Sequence, residues 1–306
     1  MNNIRQDILK TLAYFDYFNY PLSNEDIRSF LCRQCDQSYV DEILIQLTGD
    51  KIIYKIQEFY SLQNKPSFIN KRCKGNLMAV KQLSIARKAA RLISRFPFVE
   101  TVAVSGSLSK HYADEKTDID FFIITNANRL WIARTLMHLF KKLTYIAGKQ
   151  HWFCMNYYVD ETGMEIQEKN IFTAMEIVTL LPMEGLKHFQ KFIEANAWTN
   201  NFFPAHDISS DAGMEVKKSF IRKCVEKIFN SKAGDNIDKW LMNVTDKRWK
   251  KKTGRGKLND HAVKIGMMVN RHFSKPDPKN FQVKVVQQYE SRVKQLIELI
   301  QQPVTS

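Results

Sequence analysis

Apolar residues recur at helical spacing from the start of the chain. Ile4, Ile8, Leu9, Leu12 and Phe15 share one face, which predicts a helix over 3–16. Pro21 breaks it. Ser23 followed by Asn24, Glu25 and Asp26 reads as the capped start of a second helix, with Ile27, Phe30 and Leu31 inward. Val40, Ile43, Leu44 and Leu47 predict a third helix over 38–47, stopped by Gly49-Asp50. Two short β-like runs, 51–54 and 59–62, flank Gln57-Glu58 as a hairpin. A long basic helix is expected over 66–96, closed by Pro97. Residues 102–104 and 121–124 read as buried strands, and 130–146 as a helix. Residues 152–159 read as a strand with Cys154, Asn156 and Tyr158 on one face, followed by a β-like piece at 164–167. Helices are predicted over 173–181, before Pro182, and over 184–195. A turn-rich connector at 198–204 and an exposed loop at 206–213 follow. Further helices over 214–230, 235–249, 260–272 and 279–301 read as an appended helical bundle.

The pattern is α+β, and it divides into a module at 1–65, a core at 66–205 and a basic helical region at 206–306. Composition fits a globular chain of 306 residues, with 44% hydrophobic and 25% charged residues. There is no apolar run of 18 residues, so no membrane association is expected. The first residues lack the basic start and apolar centre of a secretory signal, so the expectation is a cytoplasmic protein. Five cysteines fit a reducing compartment. Cys32 and Cys35 form the only close pair, and neither a second pair nor a histidine pair completes a zinc pattern.

Charge changes the picture by its distribution. Of the net +14, residues 63–100 carry +8 and residues 214–257 carry +9, whereas 1–62 and 101–213 each carry −3. The two basic blocks, 66–96 and 214–257, are candidate RNA-facing surfaces or simply solvated faces. Trp249, among cations in the second block, either stacks on a base or anchors its helix. Asn270 to Phe273 form a further candidate site edge. Three helices and a hairpin at the N-terminus resemble a winged helix. Its third helix carries Asp41 and Glu42 and no base, so protein interaction is the better expectation there than DNA reading.

The chemistry is concentrated between 98 and 125. A short strand leads into Ser105-Gly106-Ser107. Ten residues separate Ser107 from Asp118, and Asp118-Ile119-Asp120 leads into an apolar run at 121–124. Carboxylates at i and i+2 share one face of a strand and can hold a hard cation. Gly106 lets backbone approach a phosphate, and Ser107 offers a hydroxyl to it. Lys110 is a further candidate phosphate contact, and His111 reads as a surface residue.

This arrangement of strand, Gly-Ser, spacer and Asp-x-Asp strand resembles the nucleotidyltransferase superfamily typified by DNA polymerase β. The resemblance covers about residues 98–182. It implies a polymerase-β-like core, Mg²⁺ or Mn²⁺ held by Asp118 and Asp120, and a nucleoside triphosphate held by Gly106, Ser107 and Lys110. The activity implied is transfer of a nucleoside monophosphate to a hydroxyl on RNA, protein or a small molecule, with release of pyrophosphate. It also implies a third carboxylate on a later strand. Strand alternation puts Asn156 there, an amide with no charge, with Glu165 and Asp160 as the other candidates. The alternative is a catalytically weak or silent module that binds nucleotide, RNA or protein, and a weaker one is a winged-helix regulator.

Overall fold

Three helices and a small sheet open the chain. The computed structural model describes residues 2–115, 117–146, 148, 150–208, 215–216, 219–253, 268–276 and 280–301. Helix α1 (Asn2–Asp16) buries Ile4, Ile8, Leu9 and Leu12, the stripe its spacing predicts. Strand β1 (Leu22–Ser23) leads into α2 (Asn24–Ser29). The Ser23 hydroxyl accepts from Asp26 N at 3.1 Å, while Asp26 accepts from Ser23 N at 2.8 Å. This reciprocal box satisfies donors that a helix start leaves open. Helix α3 (Gln37–Gly49) follows, then β2 (Tyr54–Ile56) and β3 (Phe59–Ser61). The three strands pair in the order β1-β3-β2.

Helix α4 (Pro66–Ile93) starts on proline, whose missing N–H costs nothing in a first turn. It buries Ala79, Ala86, Ala90 and Ile93 and exposes Lys81, Arg87 and Lys88. The central segment then builds β4 (Val99–Val104), the single turn α5 (Gly106–Ser109), β5 (Asp120–Thr125), α6 (Leu130–Ile146), β6 (Cys154–Asp160), α7 (Ile171–Val178), β7 (Leu181–Glu184) and α8 (Leu186–Ala195). Helices α9 (Phe220–Phe229) and α10 (Lys232–Thr253), strands β8 (Met268–Val269) and β9 (Phe273–Lys275), and α11 (Phe281–Gln301) complete the described elements.

The central sheet runs β7-β4-β5-β6-β9-β8. Among the described residues, only β5 and β6 of this sheet pair in parallel, across α6; its other pairs are antiparallel. Val102, Val104, Phe121 and Ile123 face a core shared with α4, α6 and α10. Ala103, Phe122 and Ile124 face the other way, toward α7 and α8. A third core joins α1 to α3 with α7 and with Val285 and Leu296 of α11. The fold is therefore mixed α+β with two sheets. Among the described residues, no helix is long and apolar enough to cross a membrane.

Four sequence expectations change. Leu181–Glu184 forms an edge strand where the sequence predicts a helix end and a helix start. Pro182 tolerates this position because an edge strand needs no donor on its open side. Of the helix expected over 260–272, residues 260–267 lie outside the described residues. The segment beyond them forms β8 and β9, with Asn270 to His272 as their turn. Residues 164–167 join no strand; Asn196 takes their backbone instead, through Ile166 N (2.9 Å) and Met164 O (2.8 Å). The C-terminal helices do not gather into a bundle of their own. Helix α10 lies on α6, whereas α11 lies on α1 and α7. Residues 209–213 of the expected loop and 254–257 of the basic stretch are also outside the described residues.

Helix α10 also supplies the cap of α6. Asp238, 2% exposed, accepts from Trp131 N and Ile132 N at 2.9 Å each, and Arg129 pairs with Asp235 at 2.5 Å. Asp238→Ala is expected to cost about 1–2 kcal/mol in urea unfolding, the worth of a lost cap. Asp238→Asn keeps the acceptor and should lose less.

Candidate active site

Strand β4 leaves the sheet at Ser105, whose N–H donates to Asp120 O at 2.9 Å. The chain then turns through Gly106 at φ +71. A Cβ at Gly106 would lie 3.0 Å from Asp120 Oδ2. Glycine is thus required both for its left-handed conformation and for the closeness of the acid. Asp120 begins β5 and lines a cavity together with Gly106 and Ser107. Asp118 lies two residues earlier and more exposed, its Oδ1 against His151 Nδ1.

Asp120 Oδ1 accepts from Asn156 Nδ2 at 2.7 Å. Burial pushes the Asp120 carboxyl up to about 6. The negative charges of Asp118 and Glu176 add to this, and the Cys154 thiol works against it. Burial pushes that thiol up to about 12, so at neutral pH it is no nucleophile.

The sequence-predicted residues separate clearly. Gly106, Ser107, Lys110, Asp120 and Asn156 all line the cavity, and Asp118 adjoins it through Asp120. Asn156 sits on a β-bulge: Phe121 pairs with Met155 and Phe122 with Tyr157, leaving Asn156 between. The extra residue turns the later strand over. Asn156 and Tyr157 therefore both face the cavity, whereas Tyr158 joins the opposite core, which corrects the expected shared face.

Asp160 lies at the far end of β6, about 16 Å along the strand by its rise per residue. It is fully buried and accepts from Asn128 N, Thr162 N and Gly163 N, which ties loops together. Glu165 is exposed and pairs with Lys169 at 2.7 Å. Neither reaches Asp120. His111 is exposed, at φ +56, and does not line the cavity. Trp249 packs against the Arg134 guanidinium, 5.0 Å from the ring centre, so it anchors α10. His272 sits 3.1 Å from Asp160, a contact that closes the turn between β8 and β9. Cys32 and Cys35 are unbonded to each other.

Sequence reading misses Glu176. It is the only charged residue in α7, and that isolation within an apolar helix is the signal. Lys110 Nζ reaches both Glu176 Oε1 (2.8 Å) and Gly106 O (3.1 Å). Among the described residues, Asp120 and Glu176 are the two carboxylates on the cavity wall.

The cavity holds about 830 Å³. Its polar end is the Ser105 to Ser107 turn with Asp120, Asn156, Lys110 and Glu176. An aromatic part of the wall comes from distant segments. Phe18 follows α1, Phe172 lies in α7 and Phe281 starts α11. Arg72 lines the cavity, its guanidinium 4.6 Å from the Tyr20 ring centre and 4.3 Å from that of Phe59, with Asp26 at 2.8 Å. Helix α4 is thus tied here to the N-terminal module.

The donor chemistry suits Mg²⁺. Asp120 is a buried acid whose carboxyl is raised by two neighbouring acids, so a cation beside it relieves both burial and repulsion. Asp118 and Asp120 offer hard oxygens, and Mg²⁺ commonly takes one or two carboxylates with the rest of its shell from phosphate and water. Among the described residues no three His, Cys, Asp or Glu side chains form a ready-made metal cage. No protein-family model, no curated protein and no solved structure matches this chain.

Proposed function

We propose that the chain is a Mg²⁺-dependent nucleotidyltransferase with a polymerase-β-like core and a winged-helix-like N-terminal module. The observation that carries this is the convergence of Gly106, Ser107 and Asp120 on one cavity, with Asp118 beside Asp120. An antiparallel β4–β5 pair joined through a Gly-Ser turn, and a parallel β6 reached through α6, support the core.

In this reading Asp118 and Asp120 hold Mg²⁺, which neutralises phosphate charge when bound. The Gly106 turn lets the triphosphate approach the backbone, and the Ser107 hydroxyl and Lys110 contact its oxygens. Lys110 is paired with Glu176, so a phosphate that draws Lys110 away leaves Glu176 as a carboxylate facing the site. Glu176 then takes the proton of the acceptor hydroxyl. The hydroxyl oxygen bonds to the α-phosphorus, the bond to the bridging oxygen breaks, and its electron pair leaves with pyrophosphate. Positioning and charge complementarity supply most of the rate.

The test is pyrophosphate release from each of the four ribonucleoside triphosphates, with Mg²⁺ and then with excess chelator. Metal-dependent release supports the reading, and Glu176→Gln is expected to slow it about 10²-fold. Absence of both release and nucleotide binding by calorimetry would overturn it. One observation favours a second reading, a silent nucleotide-binding module: Asn156, not a carboxylate, contacts Asp120. Binding of Mg²⁺ and triphosphate without turnover across RNA, protein and small-molecule acceptors would decide for it.

A further inference from the structure

We infer that the aromatic part of the cavity is the acceptor subsite, and that the acceptor is a small molecule bearing a hydroxyl and a second polar group on an otherwise apolar body. The inference rests on the nucleotidyltransferase reading and names the substrate class of the same site. Phe18, Phe172 and Phe281 form its wall, with Phe281 5.9 Å from Phe172 and 6.4 Å from Phe18 between ring centres. Such a surface takes flat or aliphatic groups. A volume of about 830 Å³ leaves room for a second small molecule beside a nucleotide.

Two polar groups on this wall are unsatisfied. Tyr14 is 2% and Thr173 6% exposed, and both line the cavity. Neither the Tyr14 nor the Thr173 hydroxyl has a hydrogen-bond partner among the described residues. Buried hydroxyls are nearly always paired, because leaving one open costs more than a typical bond returns. Two of them in one apolar chamber mark where a ligand supplies the partner. Burial, and then the charge of Glu176, hold the Tyr14 phenol well above its ordinary range, so it remains a donor.

The position suits an acceptor. Glu176 lies in the same helix as Phe172 and Thr173 and bonds the lysine that touches Gly106. A body resting on the phenylalanines, with its second polar group held by Tyr14 and Thr173, would therefore direct its hydroxyl toward Glu176. The second basic block does not serve this chamber. The exposed cations of α10, Lys247, Arg248, Lys250 and Lys251, belong to a helix packed on the opposite face of the central sheet. An RNA held there would not reach Asp120 through the sheet.

The test uses the full chain and 2-naphthol, a fluorescent ring system whose single hydroxyl probes the anchor at Tyr14 and Thr173. Saturable binding at one site per chain is expected. It should persist when Mg²⁺ and α,β-methylene-ATP, which cannot release pyrophosphate, are saturating. Tyr14→Phe with Thr173→Val keeps the shape and removes both hydroxyls. That variant should bind 2-naphthol at least tenfold more weakly while melting no earlier than wild type. Absence of saturable binding overturns the inference. Displacement by the nucleotide analogue also overturns it, because the chamber then houses the nucleobase. Calorimetry with Mg²⁺ and the analogue alone separates the two layers. If the analogue fails to bind, the nucleotidyltransferase reading falls, and the acceptor assignment with it. If it binds and 2-naphthol does not, only the acceptor assignment falls.

Discussion

Asp120→Asn is expected, on the proposed nucleotidyltransferase reading, to abolish nucleotide transfer, by at least about 10³-fold in pyrophosphate release, while the protein melts at the same or a higher temperature. The amide is nearly isosteric, and its oxygen still accepts from Asn156 Nδ2. What it lacks is charge. The acid at this position sits against its own burial and against Asp118 and Glu176, which is why its carboxyl rises to about 6. Removing an ionisable group from such surroundings relieves the fold. A side chain kept for packing would show the opposite pairing, with stability falling first. The measurements are pyrophosphate release, calorimetric binding of Mg²⁺ with triphosphate, and a thermal melt on one preparation. Full activity in the variant would remove Asp120 from the mechanism. A collapsed melt would make it a structural residue. Asp118→Asn tests the rim position separately. Its carboxylate is more exposed and paired with His151, so a smaller loss is expected there.

Local periodicity made much of this fold legible. The stripe in α1, the Ser23 cap and the apolar faces of α3 and α6 all depend on residues within a few positions of each other. The Gly106, Ser107 and Asp120 cluster was legible for a related reason: two strands and one turn lie within 30 residues. What could not be read depends on distant partners. Strand β7 exists because β4 offers it an edge, and Leu181 to Glu184 have no alternation to announce it. The bulge at Asn156 is a property of pairing with β5, so alternation along β6 alone misassigns Tyr158. Glu176 and Asp120 are 56 positions apart, and only the packing of α7 over the sheet brings them to one wall. The aromatic part of the cavity draws Phe18, Phe172 and Phe281 from three such separations. Summed charge was the least reliable guide. Arg222 counts toward the basic block at 214–257, yet it is not offered to any partner.

Arg222→Leu is accordingly expected to cost about 3–5 kcal/mol, a large share of the roughly 5–15 kcal/mol that holds a typical domain together. Arg222 is 1% exposed. Its Nε donates to Glu226 Oε1 at 2.6 Å, its Nη1 to Ser94 O at 2.8 Å and its Nη2 to Glu100 Oε1 at 2.9 Å. Glu226 Oε1 also accepts from Phe98 N at 2.8 Å, where Phe98 is held at φ +66. A bulky residue persists in that conformation only where its surroundings over-determine it. One guanidinium therefore fastens α9 to the end of α4 and to the start of β4. Leucine fills the space but leaves Glu100 and Glu226 as buried acids without their shared cation, and breaking a buried pair from one side is the costly route. Arg222→Lys should recover only part of the loss, because one ammonium cannot match three acceptors set in a fork. The triple change Arg222→Leu, Glu226→Gln, Glu100→Gln should recover more, since it removes the stranded charges and keeps the acceptor for Phe98 N. Urea unfolding of the four proteins measures this. Equal midpoints for wild type and Arg222→Leu would mean that the cluster holds nothing. The consequence reaches the site. Strand β4 runs from this cluster to Ser105, so loosening its start frees the strand that carries the Gly106 turn. Arg222→Leu should then weaken triphosphate binding even at temperatures where the chain stays folded, although Arg222 does not line the cavity.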